Sequence, residues 1–473
     1  MARLVVAGGG IAGLAAAWSA RCAAARAGVT LDVLVLERDD QVGGKARTIV
    51  RDGWMVEGGP SGFLGGRAEV DALLRAGGLA DDAVEARAAA KRRFLYRGGR
   101  LREIKASPLG FARSGIMSAA GLARLAAEPF VPRSRGTDDE TVWAFAARRL
   151  GGEAADRLVS PMTLGIFAGD ARRLSLASAF PKMARLEREH GSLIRGLIAR
   201  RGKTSAGPLT SLRGGMQSLP RGLAANGGFR VRCGASIQRI ARTGSGWTVS
   251  VAGDGSAIEA DAVIVATEPW AGASLIRPLD AAAADALEAI PCPPVTVVAL
   301  GFDASARAHI PDGFGVLIAR GEGFRMLGNL WETSLYPGRG PDGGILVRAM
   351  FGGAVDAAIG ELDEAEALAL ATREVARLYG LSSAPVFAHV VRLQRAIPQY
   401  EVGHAGRVAA VDRAVAALPG LAVTGFGLRG VAFGDSAADG VRTGEAIGRW
   451  LVARTVSAAA LERAPGVRSA TCH

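Results

Sequence analysis

Apolar and small residues fall in short blocks along the chain, and the first blocks already set a pattern. Leu4-Val5-Val6-Ala7 is a run of strand length, Gly8 to Gly13 breaks it, an Ala-rich stretch from Leu14 to Arg26 follows, and Leu31 to Leu36 is apolar again. Strand, glycine turn, helix and strand in that order predict a βαβ unit. From about Ser107 to Gly202 the spacing becomes mostly helical, with amphipathic stretches such as Thr141 to Leu150. Alternation returns from Phe229, ends on the strand-like Ala262-Val263-Ile264-Val265-Ala266, and short β-like runs recur from Pro294 to Gly353. Helical spacing resumes from Glu361 to Tyr379, a closing segment spans Leu421 to Leu451, and residues after about Ser457 read as a frayed tail. No repeat or low-complexity linker divides the chain. Glycine-rich elements near both ends and in the middle instead suggest one nucleotide domain assembled from separated segments, with another domain inserted.

A length of 473 residues is too great for one ordinary core, so two or three structural units are expected. The formal net charge of +12 raises the question of an anionic partner. Only five of the 57 basic residues are Lys, however, and they are scattered without the runs or aromatic interleaving of a nucleic-acid surface, so no nucleic acid is expected. Cys22, Cys233, Cys292 and Cys472 lie far apart, and the five His form no pair, so neither a disulfide framework nor a metal site is indicated. The first strand candidate begins almost at Met1, leaving no room for a signal peptide, and no uncharged apolar run reaches the roughly 18 to 20 residues of a membrane span. A cytoplasmic location is expected, with peripheral attachment to the inner face of the cell membrane left open.

Gly8-Gly9-Gly10-Ile11-Ala12-Gly13 fits G-x-G-x-x-G directly after a strand and opening a helix. Gly8 makes the tight turn, Gly10 lets a diphosphate approach the backbone, and Gly13 lets the helix pack on the strand, with the helix N-terminus facing the phosphates. Glu37 ends the second strand, 24 residues past Gly13, where a carboxylate accepts hydrogen bonds from adenosine ribose hydroxyls and repels a 2′-phosphate. Gly43-Gly44-Lys45 follows closely and resembles the double-glycine signature after the ribose acid in flavoprotein amine oxidases and desaturases, which separates FAD from NAD. Glu57-Gly58-Gly59-Pro60-Ser61-Gly62 offers bare backbone able to lie against a flat ring. Near the other end, Thr424 to Asp435 places a strand before a glycine turn and a helix whose N-terminus would stabilise a reduced, anionic flavin. The expected FAD contacts are Gly8 to Gly13, Glu37, Gly44, Lys45, Gly59 to Gly62, Ile237, Phe426, Val431, Ala432 and Phe433.

Six further segments go beyond general flavoprotein chemistry. They are Lys91 to Tyr96, Asp139 to Gly151, Gly165 to Ser175, Glu187 to Ile194, Gly313 to Leu317, and Ala396 to Tyr400 with Gly403-His404. In this order they resemble the oxygen-dependent protoporphyrinogen oxidase family, within the flavin amine oxidase superfamily, and the resemblance runs from about residue 3 to 450. It implies a mixed α/β fold with a discontinuous, Rossmann-like FAD domain of the glutathione-reductase and amine-oxidase type (1–85, 204–280 and 405–455). It also implies a mixed-sheet substrate domain (86–107 and 281–404), a helical, membrane-contacting domain (108–203), and a tail (456–473). Arg93 matches the family arginine that pairs with a propionate, Gly165 and Gly169 match pocket glycines, Leu317 and Tyr336 match side chains that sandwich a ring, and Met350 matches a further pocket position. The turn Phe433-Gly434-Asp435-Ser436 departs from the family's usual Asn-Asp-Cys pattern.

The implied reaction converts protoporphyrinogen IX to protoporphyrin IX by removing six electrons in three steps, each a hydride transfer to the flavin with loss of an N–H proton. Oxygen is the implied acceptor and hydrogen peroxide the by-product, within haem and porphyrin biosynthesis. No side chain presents itself as an obligatory base, so none is assigned a catalytic role. The rivals are oxidation of coproporphyrinogen III, amine oxidation or desaturation of another substrate, and flavin binding without turnover. The expected partners are a porphyrinogen and O2, with an anionic membrane surface and a homodimer left open.

Overall fold

In the computed structural model, residues 1–463 are described except 135, 137, 138, 201–206, 245, 254 and 256, with side chains of the last helix described to residue 457. The apolar runs read from the sequence assemble into a five-stranded parallel sheet in the order Arg230–Arg232, Leu31–Leu36, Ala2–Ala7, Ala262–Val265, Leu421–Val423. Its strands come from the beginning, middle and end of the chain. Central strands of such a sheet are covered on both faces, which is why Leu4, Val5, Val6 and Val263 to Val265 are fully buried.

One face is covered by two helices, Ile11–Arg26 and Phe433–Arg463. They run parallel in close contact because Gly440, Gly444 and Gly448, one turn apart, sit on the backbone carbonyls of Ala12, Ala16 and Ala20. Both N-termini therefore open at the same end of the sheet. The last helix continues through Arg463, so 456–463 is helix where a tail was expected: Ala458-Ala459-Ala460-Leu461-Glu462-Arg463 is a run of strong helix formers. Residues 464–473 of the expected tail lie outside the described residues.

A second, seven-stranded sheet has the order Phe387–Leu393, Val295–Phe302, Ile345–Gly352, Met326–Trp331, Gly315–Ile318, Arg93–Arg97, Arg100–Glu103. Neighbours are antiparallel except Gly315–Ile318 beside Arg93–Arg97. Helix Glu364–Tyr379, opened by an Asp363/Glu366 capping box, packs Leu370, Ala371 and Val375 on one face of this sheet. The other face is turned towards the first sheet: Ala299, Leu346 and Phe387 pack against Trp54 and Val56 of the hairpin Thr48–Arg51 and Trp54–Glu57.

A helical unit between Pro108 and Ala199 packs on the edge of the second sheet, where Leu95 and Leu317 meet Ile116, Met117 and Ala154. Its centre is ionic. Glu128 and Arg149 are both fully buried and paired, and Glu128 also accepts from the Ser192 hydroxyl and the Leu193 and Ile194 amides. Burial alone would raise the Glu128 carboxyl, but these donors outweigh it and hold it below the ordinary glutamate value.

Candidate functional site

Three loops with little or no side chain lie in sequence across the molecule. Gly8, at φ +108°, closes the first turn with its α-carbon against the Ala266 carbonyl, and a Cβ on Gly13 would collide with the Gly8 carbonyl oxygen. Gly10 caps the first helix and would point a Cβ into open space, the condition for a ligand's close approach, while Ile11 and Ala12 are buried in the first turn. Next to it, the Gly43 amide donates to the Gly9 carbonyl at 2.9 Å and Gly44 lies against the Gly10 α-carbon. Then Gly58 donates to the Arg47 carbonyl at 2.8 Å, and Gly59 sits on the Lys45 carbonyl so closely that any Cβ would collide. A path of bare backbone thus leads from the two helix N-termini to the junction with the second sheet, and it fits an extended dinucleotide laid along it.

Glu37 stands beside the first turn. Its carboxylate accepts from the Gly9 amide at 2.6 Å and the Asp39 amide at 2.9 Å, and a carboxylate offers about four acceptor positions, so ribose hydroxyls still find sites there. Lys45 crosses to Glu268 (3.0 Å) with its ammonium 4.7 Å from the centre of the Phe426 ring. Ile237 opens the strand Ile237–Thr243 and packs in the apolar cluster that includes Leu36 and Ala235, whose amide donates to the Glu37 carbonyl. Pro60 and Ser61 are half-buried, and Ser61 donates to Glu332.

At the C-terminal loop, Tyr400 donates its hydroxyl to the Phe426 carbonyl and accepts from the Gly430 amide (2.8 Å), so one phenol ties both ends of the turn. His404 stacks on Tyr400 at 4.0 Å and places Nε2 2.9 Å from the Leu428 carbonyl; desolvation holds its pKa below the ordinary value, so the ring is neutral at pH 7. Val431 is half-buried, Ala432 is exposed, and Phe433 is buried, stacked 6.0 Å from Phe63. The departing turn has a local partner: Asp435, in the first turn of the last helix, is paired with Arg67.

The strand register decides which substrate residues meet. Leu95, Leu317, Gly328, Met350, Val297 and Val391 form one transverse row on the sheet face opposite helix Glu364–Tyr379, covered at its Leu95 end by the helical unit. Leu317 and Met350 flank a glycine, two strand spacings or roughly 10 Å apart. Gly165, on helix Ser160–Phe167, lies so close to Leu317 that a side chain would clash, while Gly169 packs on Gln399 and Leu174. Arg93 is exposed at the end of the neighbouring row, paired with Gly315, its guanidinium 5.0 Å from the Phe314 ring. Tyr336 is placed elsewhere. It follows helix Glu332–Leu335 outside the sheet and is 1% exposed among Ala90 and Leu335, with its hydroxyl against Gly62, so it does not face Leu317 across one ring.

Sequence reasoning missed a buried ionic cluster beside Gly62. Arg339 reaches Glu57 at 3.0 Å and the Ser211 hydroxyl at 2.6 Å; Arg348 reaches the carbonyls of Glu57 (2.6 Å) and Gly59 (2.7 Å) and pairs with Glu332 (3.1 Å). The signal was a lone arginine inside the apolar strand Ile345-Leu346-Val347-Arg348-Ala349-Met350. Among the described residues no group of His, Cys, Asp and Glu could hold a metal, and no helix is long and apolar enough to cross a membrane.

Comparison with known proteins matches residues 11–447 to the flavin containing amine oxidoreductase family. The chain is 30% identical to the coproporphyrinogen III oxidase of Bacillus subtilis (strain 168), over 91% of this chain and 95% of that protein. It is 33% identical to the protoporphyrinogen oxidase of Homo sapiens, again over 91% and 95%. A crystal structure from Exiguobacterium sp. 255-15 superposes with a TM-score of 0.83 at 23% identity, over 95% of this chain and 99% of that one.

Proposed function

This chain belongs to the flavin containing amine oxidoreductase family and carries FAD, and from that premise we propose that it oxidises protoporphyrinogen IX to protoporphyrin IX with O2 as acceptor, in haem biosynthesis. The observation that carries the reading is the half-buried stretch of that apolar row, Leu317, Met350 and Val391 with bare Gly328 between the first two, on the sheet face whose Arg348 reaches the Glu57 and Gly59 carbonyls. A flat macrocycle needs a dry, flat, apolar floor, and this row is one. Bound FAD supplies the hydride acceptor; the protein's residues hold the substrate and exclude water. Leu317 and Met350 contact the rings, Gly165 lets its helix press against the Leu317 side chain, and Arg93, exposed at the rim, pairs with a propionate. Each hydride leaves a carbon as an N–H proton is lost, and no protein nucleophile takes part.

Oxidation of coproporphyrinogen III is the second reading, favoured by the likeness to the Bacillus subtilis enzyme. One experiment separates the two. FAD-loaded protein is mixed in air with protoporphyrinogen IX and, separately, with coproporphyrinogen III, and porphyrin fluorescence is followed against a no-enzyme control. Faster formation of protoporphyrin supports the proposal, faster formation of coproporphyrin selects the second reading, and inertness towards both overturns porphyrinogen oxidation. We further propose that the protein works in the cytoplasm and that its helical unit touches an anionic membrane surface.

A further inference from the structure

We infer that Arg348 and Glu332 are positioning residues for the flavin: a buried ion pair between the substrate sheet and the short helix that follows its Met326–Trp331 strand, which latches the Glu57–Gly62 loop and sets the charge on the side where the ring would lie. The inference concerns the bound flavin alone and stands whichever porphyrinogen is the substrate.

Arg348 lies on the central strand Ile345–Gly352, two residues before Met350 and on the same face. Its side chain is 4% exposed, and a guanidinium taken so far from water must be paid for by partners. Those partners are informative. One nitrogen donates to two carbonyls of the glycine loop, those of Glu57 and Gly59, while Nε faces Glu332, which in turn accepts from Ser61 of the same loop. The sheet that carries the substrate row thus grips the flavin loop at three points through one ion pair. Core packing does not require this, since two matched apolar side chains of similar volume often stabilise as well or better.

The cluster is balanced, with Arg339 and Arg348 against Glu57 and Glu332. It is not closed on itself: the Glu332 Oε2 and Tyr336 hydroxyl atoms are buried with no protein partner among the described residues, and the Tyr336 hydroxyl lies against Gly62. The Tyr336 hydroxyl thus turns this open polar end to the Gly62 loop, along which the ring would lie. A charge left uncompensated there, in a region of low dielectric, acts on the reduced, anionic flavin with little screening. The sign follows: removing the Glu332 charge leaves excess positive charge and raises the flavin midpoint potential, and removing Arg348 weakens the grip on the loop.

The test uses the full-length holoprotein. Glu332→Gln keeps the shape and the acceptor for Ser61, and its flavin potential is measured by dye equilibration. Arg348→Met and Arg348→Lys are titrated with FAD, followed by flavin fluorescence, with thermal melting as the control for folding. Expected are a raised potential in Glu332→Gln and FAD binding weakened about tenfold or more in Arg348→Met, the size of one charge-assisted hydrogen bond, partly restored in Arg348→Lys. An unchanged or lowered potential in Glu332→Gln, or FAD binding in a folded Arg348→Met equal to the parent's, overturns the inference. If Arg348→Met does not fold, the Glu332→Gln potential decides alone.

Discussion

Arginine carries much of this molecule's specificity, and its environment decides what each one does. Arg348 and Arg339 are desolvated and held by carboxylates and carbonyls, so they act as fixed struts. Arg93 is exposed, with its guanidinium over the Phe314 ring, which suits a group that meets a ligand carboxylate at the rim. Arg93→Ala is expected to raise KM for the porphyrinogen about tenfold or more, the equivalent of roughly 1.5 to 3 kcal/mol for one charge-assisted bond, with FAD content intact. Steady-state kinetics with flavin absorbance on the same sample checks this, and unchanged kinetics removes Arg93 from the substrate site.

At the scale of elements, the close parallel pair of helices Ile11–Arg26 and Phe433–Arg463 brings two positive helix ends to one place. Gly444→Leu would force a side chain onto the Ala16 backbone and push the helices apart. We expect a loss of at least about 1 to 3 kcal/mol from overpacking, read as a lower denaturation midpoint, together with weaker FAD retention because the two N-termini separate. The helical unit depends instead on Glu128. Its carboxyl is held below the ordinary value, so its contribution is whole above about pH 4.3 and is lost as pH falls through the lower folded value. Protection of the Leu193–Ala199 amides against hydrogen exchange, relative to the intrinsic rate at each pH, should fall as the pH drops below 4, and Glu128→Gln should show low protection already at neutral pH.

For the whole molecule, exposed apolar groups gather on the helical unit while positive charge is spread along the chain. Six of the twelve exposed large apolar side chains among the described residues lie between Leu109 and Ile198, with Phe130 82% exposed, and the chain carries a formal charge of +12. Exposed apolar groups on a positively charged chain favour an anionic bilayer surface, and the electrostatic part is screened by salt. Co-sedimentation with anionic liposomes at low salt, reduced at high salt and absent with neutral liposomes, is the expected result; failure to sediment at low salt removes the membrane contact. The sequence by itself determined the strand–glycine–helix unit, the place of Glu37 at the end of the second strand and the α/β class, because these depend on local spacing, on the steric needs of Gly8 to Gly13, and on periodicity. Only the tertiary structure decided that Met350 rather than Tyr336 shares a row with Leu317, since strand register is a long-range property that no local pattern encodes. It alone also brought Glu57, Glu332, Arg339 and Arg348 together from positions up to 291 residues apart, because the desolvation that makes such a cluster matter exists only once two sheets have closed over it.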